Sequence, residues 1–195
     1  MYINPVIVLI IEILGLVAFS ISGALAAFKR DLDIIGYIIV GTVTGIGGGT
    51  VRDLILDRPV FWLYDSYCYS LNICILTSVL TFIASKHIDK RENIVNWFDA
   101  LGLALFAVQG YIISMEVYYN SEIAVIMGVI TGCGGGLLRD ICMNRQPFIF
   151  RGEIYASAAI FGLIIFAFSN NVLLAFASIF ILRALAIKYK ISLKN

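Results

Sequence analysis

One stretch of eighteen residues occurs twice in this chain. Gly41 to Arg58 (GTVTGIGGGTVRDLILDR) and Gly128 to Arg145 (GVITGCGGGLLRDICMNR) lie 87 positions apart and share nine identities. Composition alone would give about one or two. The same offset pairs Glu12 with Asp99, Leu14, Gly15 and Leu16 with Leu101, Gly102 and Leu103, Phe19 with Phe106, and Gly23 with Gly110. Pro59 and Pro147 close the two copies after a slip of one residue. A register held over two successive apolar segments identifies a duplicated structural unit, so any fold must build the same unit twice.

What that unit sits in follows from hydropathy. Hydrophobic residues make up 61% of the chain and the mean hydropathy is +0.94, against roughly 45–50% apolar residues in soluble domains. About 20 apolar residues cross a hydrocarbon core of about 30 Å. Spans are expected near 5–28, 34–56, 68–86, 96–115, 122–143, 154–169 and 171–187. Ala24 and Ala26 offer an A-x-A cleavage pattern, but no basic stretch precedes the first run and Glu12 interrupts it, so that run reads as a retained helix. The expected organisation is a first three-helix repeat over 1–92, a second over 93–169, and a seventh helix with its tail over 170–195. Three spans per unit is an odd number, so the second copy enters the membrane from the opposite side. The fold class is then an all-α integral membrane protein with seven transmembrane helices, two inverted three-helix repeats and a seventh helix outside them.

Loop charges give the orientation. One side collects Lys29, Arg30, Lys86, Lys90, Arg91, Arg145, Arg151, Lys188, Lys190 and Lys194, and the other has only Arg58. The positive-inside rule places the N-terminus outside and the C-terminus in the cytoplasm. Tyr2, Trp62, Tyr64, Tyr67, Tyr118 and Tyr119 fall near span ends, as interfacial aromatics do. The net charge of +1 points to no nucleic acid. Cys68, Cys74, Cys133 and Cys142 form no C-x-x-C pair and read as packing residues. The single histidine, His87, sits in a polar stretch running to Glu92, which leaves no material for a metal cluster or a Ser-His-Asp site; no metal or cofactor is expected.

Glycine inside a helix costs about 1 kcal/mol relative to alanine. Gly45, Gly47, Gly48 and Gly49, and their counterparts Gly132, Gly134, Gly135 and Gly136, therefore need a reason. Close helix packing is one, since Gly41-x-x-x-Gly45 and Gly128-x-x-x-Gly132 have the small-residue spacing of membrane interfaces. The other, which the central placement and the charges that follow favour, is a kink in the second and fifth helices. It would free backbone carbonyls into a cavity, where with the Thr44 and Thr131 hydroxyls they would favour a cation. A phosphate loop is a poor fit because the Lys-Ser/Thr pair is missing. Thr42 to Gly45 (TVTG) echoes a potassium filter by coincidence, since such filters sit between helices in fourfold assemblies.

Arg52, Asp53, Arg139 and Asp140 would each cost about 2.5–3.5 kcal/mol alone at a helix centre, so partners are expected. Sequence neighbours point about 100° apart. That suggests Arg52 with Asp140 and Arg139 with Asp53 across the pseudo-twofold axis, or pairing with Glu12 and Asp99 on the first helix of each unit. A structural clamp and a role in a permeation path are both open. Gln109, Ser20 and Ser22 are further polar groups in apolar helices.

The doubled G-x-G-G-G-x-x-R-D in a seven-helix chain of this length resembles the prokaryotic branch of the trimeric intracellular cation (TRIC) channels. That resemblance implies homotrimers with a separate pore in each protomer, lined largely by the second and fifth helices. It also implies conduction of monovalent cations, mainly potassium, and a place in a prokaryotic plasma membrane among its lipids. It assigns the kinks to Gly45 to Gly49 and to Gly132 to Gly136. Animal members bind a phosphoinositide through a basic motif, which Leu137-Leu138-Arg139-Asp140 lacks, so lipid gating is not carried over. The same prokaryotic family has also been labelled glycine-transporting.

Two functions follow: a passive cation channel, or an alternating-access carrier for a small zwitterion such as glycine. The carrier would hold its carboxylate at a half-helix N-terminus or at Arg52 or Arg139, groups that repel a bare cation. A retinal receptor would need a lysine in the last helix, and none occurs from Asn171 to Ile187. No paired aspartates or Ser-His set suggests an enzyme.

Overall fold

Asn4, Asp33, Asn120 and Asn171 each precede an apolar run, and each side chain accepts a hydrogen bond from a backbone N–H of the helix it starts. The computed structural model describes residues 3–64, 68–86, 93–151 and 154–191. Tyr2, Tyr67, His87, Lys90, Arg91, Glu92 and Lys194 lie outside these. Among the described residues the helices are α1 Pro5–Phe28, α2 Ile34–Ile55, the single turn α3 Phe61–Tyr64, α4 Tyr69–Ser85, α5 Ile94–Tyr118, α6 Ser121–Cys142, α7 Ala156–Ser169 and α8 Val172–Tyr189. A 3-10 turn at Phe148–Phe150 lies between α6 and α7. Five of these (α1, α2, α5, α6, α8) are long and apolar enough to cross a membrane by length and composition. The third helix of each unit, α4 or α7, is apolar but shorter, with 17 and 14 residues.

The two middle helices end alike. Asp57 and Asn144 adopt positive φ (52° and 48°), which Asp and Asn tolerate better than other side chains. The next backbone N–H, of Arg58 or Arg145, donates to the carbonyl of Asp53 or Asp140 at 2.9 and 2.8 Å. This closes each helix immediately after its Arg-Asp pair.

At the centre stands α5, buried at every position from Gly102 to Ser114, with α1, α6 and α8 against it. The contact of α1 with α5 is reciprocal: a Cβ on Gly15 would meet the Phe106 ring at 2.8 Å, and one on Gly102 would meet Phe19. The Phe19 and Phe106 rings sit 5.4 Å apart. On the far side α8 packs on α5 and α7, placing the one helix outside the repeat beside the second unit.

The middle helices are not unwound at their glycines. α2 and α6 are α-helical without a break from Ile34 to Ile55 and from Ser121 to Cys142. The glycines serve a different need, because α2 and α6 cross at backbone contact. A Cβ on Gly48 would collide with the Thr131 carbonyl oxygen, one on Gly135 with the Thr44 carbonyl oxygen, and one on Gly134 would stand 3.0 Å from Gly48 Cα. Gly23 and Gly110, on α1 and α5, make room for the Thr44 and Thr131 hydroxyls. Those hydroxyls donate within their own helices, to the Val40 and Met127 carbonyls, each at 2.6 Å.

Gly48→Ala and Gly135→Ala are therefore expected to force α2 and α6 apart and to destabilise the protein by about 1–3 kcal/mol each, as overpacked cores do. Thermal unfolding of the purified protein in detergent checks this; an unchanged Tm in both variants sinks the close-contact account.

Candidate functional site

Just beyond the glycine crossing, each middle helix turns an arginine inward. Arg52 and Arg139 are 1% and 0% exposed, and the aspartates beside them, Asp53 and Asp140, 2% each. Each guanidinium folds back onto its neighbour. Arg52 Nε donates to Asp53 Oδ1 at 2.8 Å, and Arg139 Nε and Nη2 lie 3.0 and 2.9 Å from Asp140 Oδ1. The cross-axis pairs Arg52 with Asp140 and Arg139 with Asp53 are not formed among the described residues. Adjacent Cβ atoms do diverge on a helix, but the three methylenes of arginine are long enough to bring Nε back across that angle.

The second carboxyl oxygen of each aspartate reaches forward. Asp53 Oδ2 accepts from the Phe61 backbone N–H at 2.9 Å, and Asp140 Oδ2 from that of Phe148 at 3.3 Å. Phe61 and Phe148 are themselves 87 residues apart, and each ring faces its arginine, with Cζ 5.7 and 5.0 Å from the centroid. One side chain thus neutralises the arginine, ties down the segment after the helix and places an aromatic ring over the guanidinium.

The other contacts of each arginine join the two units. Arg139 Nη1 donates to Asp99 Oδ1 on α5 at 2.6 Å and to the Ser22 hydroxyl on α1 at 2.7 Å. Arg52 Nη1 donates to Gln109 Oε1 on α5 at 3.4 Å, and Gln109 Nε2 donates to Glu12 Oε2 on α1 at 2.8 Å. Ser22 and Gln109 occupy equivalent positions, so each arginine reaches the same point on the opposite unit's first helix. The acid of its own unit differs: Asp99 meets Arg139 directly, whereas Glu12 meets Arg52 through the Gln109 amide. The Tyr69 hydroxyl donates to the other Glu12 oxygen at 2.5 Å.

The expectation of pairing with the first-helix acids is therefore met directly by Asp99 and through one intermediary by Glu12. Gly47, Gly48, Gly134 and Gly135 face the α2–α6 crossing, whereas Gly45 faces α1 and α4, Gly49 the Phe61 ring, Gly132 α5, and Gly136 Tyr155 and Asp99; Thr44 and Thr131 are fully buried.

Arg183 on α8 was not anticipated. It is fully buried, donates from Nη1 to the Ile154 carbonyl at 2.8 Å and stacks over Tyr155 with Cζ 4.9 Å from the ring centroid. An arginine inside a span of hydropathy 2.0, whose other charge, Lys188, sits in its last turn, was the available signal. Phe61 and Phe148 were legible through the 87-residue offset, while Tyr69 and Tyr155, which the offset does not superpose, were not. At the rim of the second cluster, burial and then the charge of Arg30 pull the pKa of Arg145 down.

A family model described as "Glycine transporter" matches residues 9–86 and again 96–171. The inner membrane protein YadS of Escherichia coli is 41% identical over 162 residues, covering 80% of this chain and 76% of that protein. The membrane protein YvgT of Bacillus subtilis is 37% identical over 158 residues, covering 80% and 78%. Among solved structures, the TRIC trimeric intracellular cation channel orthologue from Rhodobacter sphaeroides is similar with a TM-score of 0.87 and 36% identity, over 95% of this chain and 99% of that one.

A double-mutant cycle tests the cluster geometry. Arg139→Ala and Asp99→Ala should each destabilise by about 3–5 kcal/mol, as loss of one partner from a buried pair does, and their effects should be strongly non-additive. Arg52→Ala and Asp140→Ala, which do not touch, should add to within about 0.5 kcal/mol in chemical unfolding. Coupling in the second cycle with additivity in the first would reverse the assignment.

Proposed function

This chain belongs to the prokaryotic trimeric intracellular cation (TRIC) channel family, and from that premise we propose that it is a monovalent cation channel, conducting mainly potassium. The reading is carried by the likeness, over nearly the whole chain, to the Rhodobacter cation channel orthologue. On it, the protein assembles as a homotrimer with one pore per protomer, lined by α2 and α6. The conformation described is then the closed one, because Thr44, Thr131, Arg52 and Arg139 at the crossing have at most 1% exposure. Opening requires α2 and α6 to part at Gly45 to Gly49 and Gly132 to Gly136. The contacts of Arg139 to Ser22 on α1 and of Arg52 to Gln109 on α5 serve as the clamp that joins the two repeats, and the same arginines are the charges a permeating ion passes.

The description of the matching family favours one second reading, a carrier for glycine. A substrate carboxylate would then have to displace Asp99 or Asp140 from Arg139, or Asp53 from Arg52. A cation makes no such demand.

Planar-bilayer recording of the purified protein under potassium, sodium and glycine gradients separates the two. Resolved unitary potassium currents far above carrier turnover are expected; saturable glycine uptake without such currents would replace the channel with the carrier.

The proposed orientation, N-terminus outside and C-terminus in the cytoplasm, has its own test in the exposed thiols of Cys68 and Cys142. A membrane-impermeant maleimide applied to intact cells should label Cys68 and spare Cys142, and inverted vesicles should show the reverse. The opposite pattern inverts the topology.

A further inference from the structure

The duplication places an acid at equivalent positions of the two first helices, Glu12 on α1 and Asp99 on α5, and the two are held differently. Both Glu12 oxygens are taken by neutral donors. Oε1 accepts from the Tyr69 hydroxyl at 2.5 Å and Oε2 from Gln109 Nε2 at 2.8 Å, and the Gln109 amide stands between Glu12 and Arg52. Asp99 instead meets its arginine directly, Oδ1 to Arg139 Nη1 at 2.6 Å, and its Oδ2 has no hydrogen-bond partner among the described residues.

The second unit nevertheless carries a tyrosine in the corresponding place. Tyr69 opens α4 and Tyr155 immediately precedes α7, so each unit brings a tyrosine to the start of its third helix. The Tyr155 hydroxyl is buried and, like Asp99 Oδ2, has no hydrogen-bond partner among the described residues. It lies beside Asp99. The hydroxyl and Asp99 Oδ1 stand 2.6 and 2.9 Å from one point, the position a Cβ on Gly136 would take, and glycine there puts no side chain between them. Of the charges around Tyr155, Asp99 acts on it most strongly. A donor and an acceptor left idle side by side, both out of water, carry an uncompensated desolvation cost. In the first unit the same two groups, tyrosine and acid, have closed that gap.

We propose that the first-helix acid of each unit has two alternative partners, its own arginine and its own third-helix tyrosine, that the two units are held in opposite settings, and that opening moves Asp99 from Arg139 to Tyr155. The proposal rests on the channel reading. The first unit shows what the tyrosine setting looks like at this depth: the carboxylate accepts from a hydroxyl, and the arginine keeps the aspartate next to it, Asp53. Asp140 serves Arg139 in the same way, so no charge is stranded when Asp99 changes partner. What the exchange removes is the ion pair that ties α6 to α5, and a middle helix released from that pair can move as opening requires. Tyr155 is a positioning residue and need not touch the ion.

Single-channel recording and thermal unfolding of Tyr155→Phe and Tyr69→Phe test the exchange. The Tyr155 hydroxyl makes no hydrogen bond in the state described, so Tyr155→Phe should keep the wild-type Tm or exceed it. Its open probability should fall about three- to tenfold, because the open state alone loses a hydrogen bond to a carboxylate. Tyr69→Phe breaks a bond already made and should lower Tm by about 2–4 °C. An open probability that does not fall in Tyr155→Phe, or a Tm below wild type in that variant, overturns the exchange and marks Tyr155 as a packing residue. A Tyr69→Phe protein as stable as wild type overturns it too, since the first unit would then not be in the tyrosine setting. A wild type that passes no current defeats the channel reading itself, and the exchange with it.

Discussion

A guanidinium in a hydrocarbon layer has to bring its counter-charge with it, and the architecture answers to that requirement. Arg52 and Arg139 are each matched by an aspartate on the same helix and by contacts to the first helices, Arg139 to Asp99 and Ser22 directly and Arg52 to Gln109 and through it to Glu12. The second set cannot form unless α1, α2, α5 and α6 are already at their native distances. The polar clusters are thus a readout of correct assembly. An apolar core can be filled in many ways, whereas a buried arginine is satisfied in very few.

The glycines make those distances possible. With side chains at Gly48 and Gly135, α2 and α6 would be held apart by at least a methyl group on each face, and the arginines beyond the crossing would lose their reach to α5 and α1. The polar and the small-residue features of the repeat are in this sense one device. Close backbone contact sets the depth and separation at which the two arginines and their polar partners can link four helices. The aspartate that holds the arginine also fixes the start of the following segment through the Phe61 or Phe148 N–H.

Most of the fold was legible because membrane helices write themselves in hydropathy and the duplication writes itself in spacing. The helix limits Ile34–Ile55 and Ser121–Cys142 lie within a residue of the expected 34–56 and 122–143. What could not be read was decided by side-chain reach. Helical geometry made a pair between Arg52 and Asp53 look unfavourable, because it tracks Cβ directions and ignores the length of arginine. The glycine clusters were compatible with both a kink and a tight crossing; the partner helix that the crossing needs is 87 residues away. Gln109 was visible as a polar residue in an apolar helix, but its position between Arg52 and Glu12 depends on the packing of three helices. Arg183 falls outside the duplicated register, so no equivalent residue drew attention to it.

The way α2 meets α6 has a mechanical consequence. Interlocked side chains must change rotamer before one helix can slide past another, and that gives a packed interface its friction. At Gly48, Gly134 and Gly135 the helices touch through backbone alone, a smooth bearing with nothing to unlock. Resistance to relative motion then lies beyond the contact, where Arg52 ties α2 to α5 and Arg139 ties α6 to α5 and α1, and it is the strength of those ties that sets how stiff the joint is.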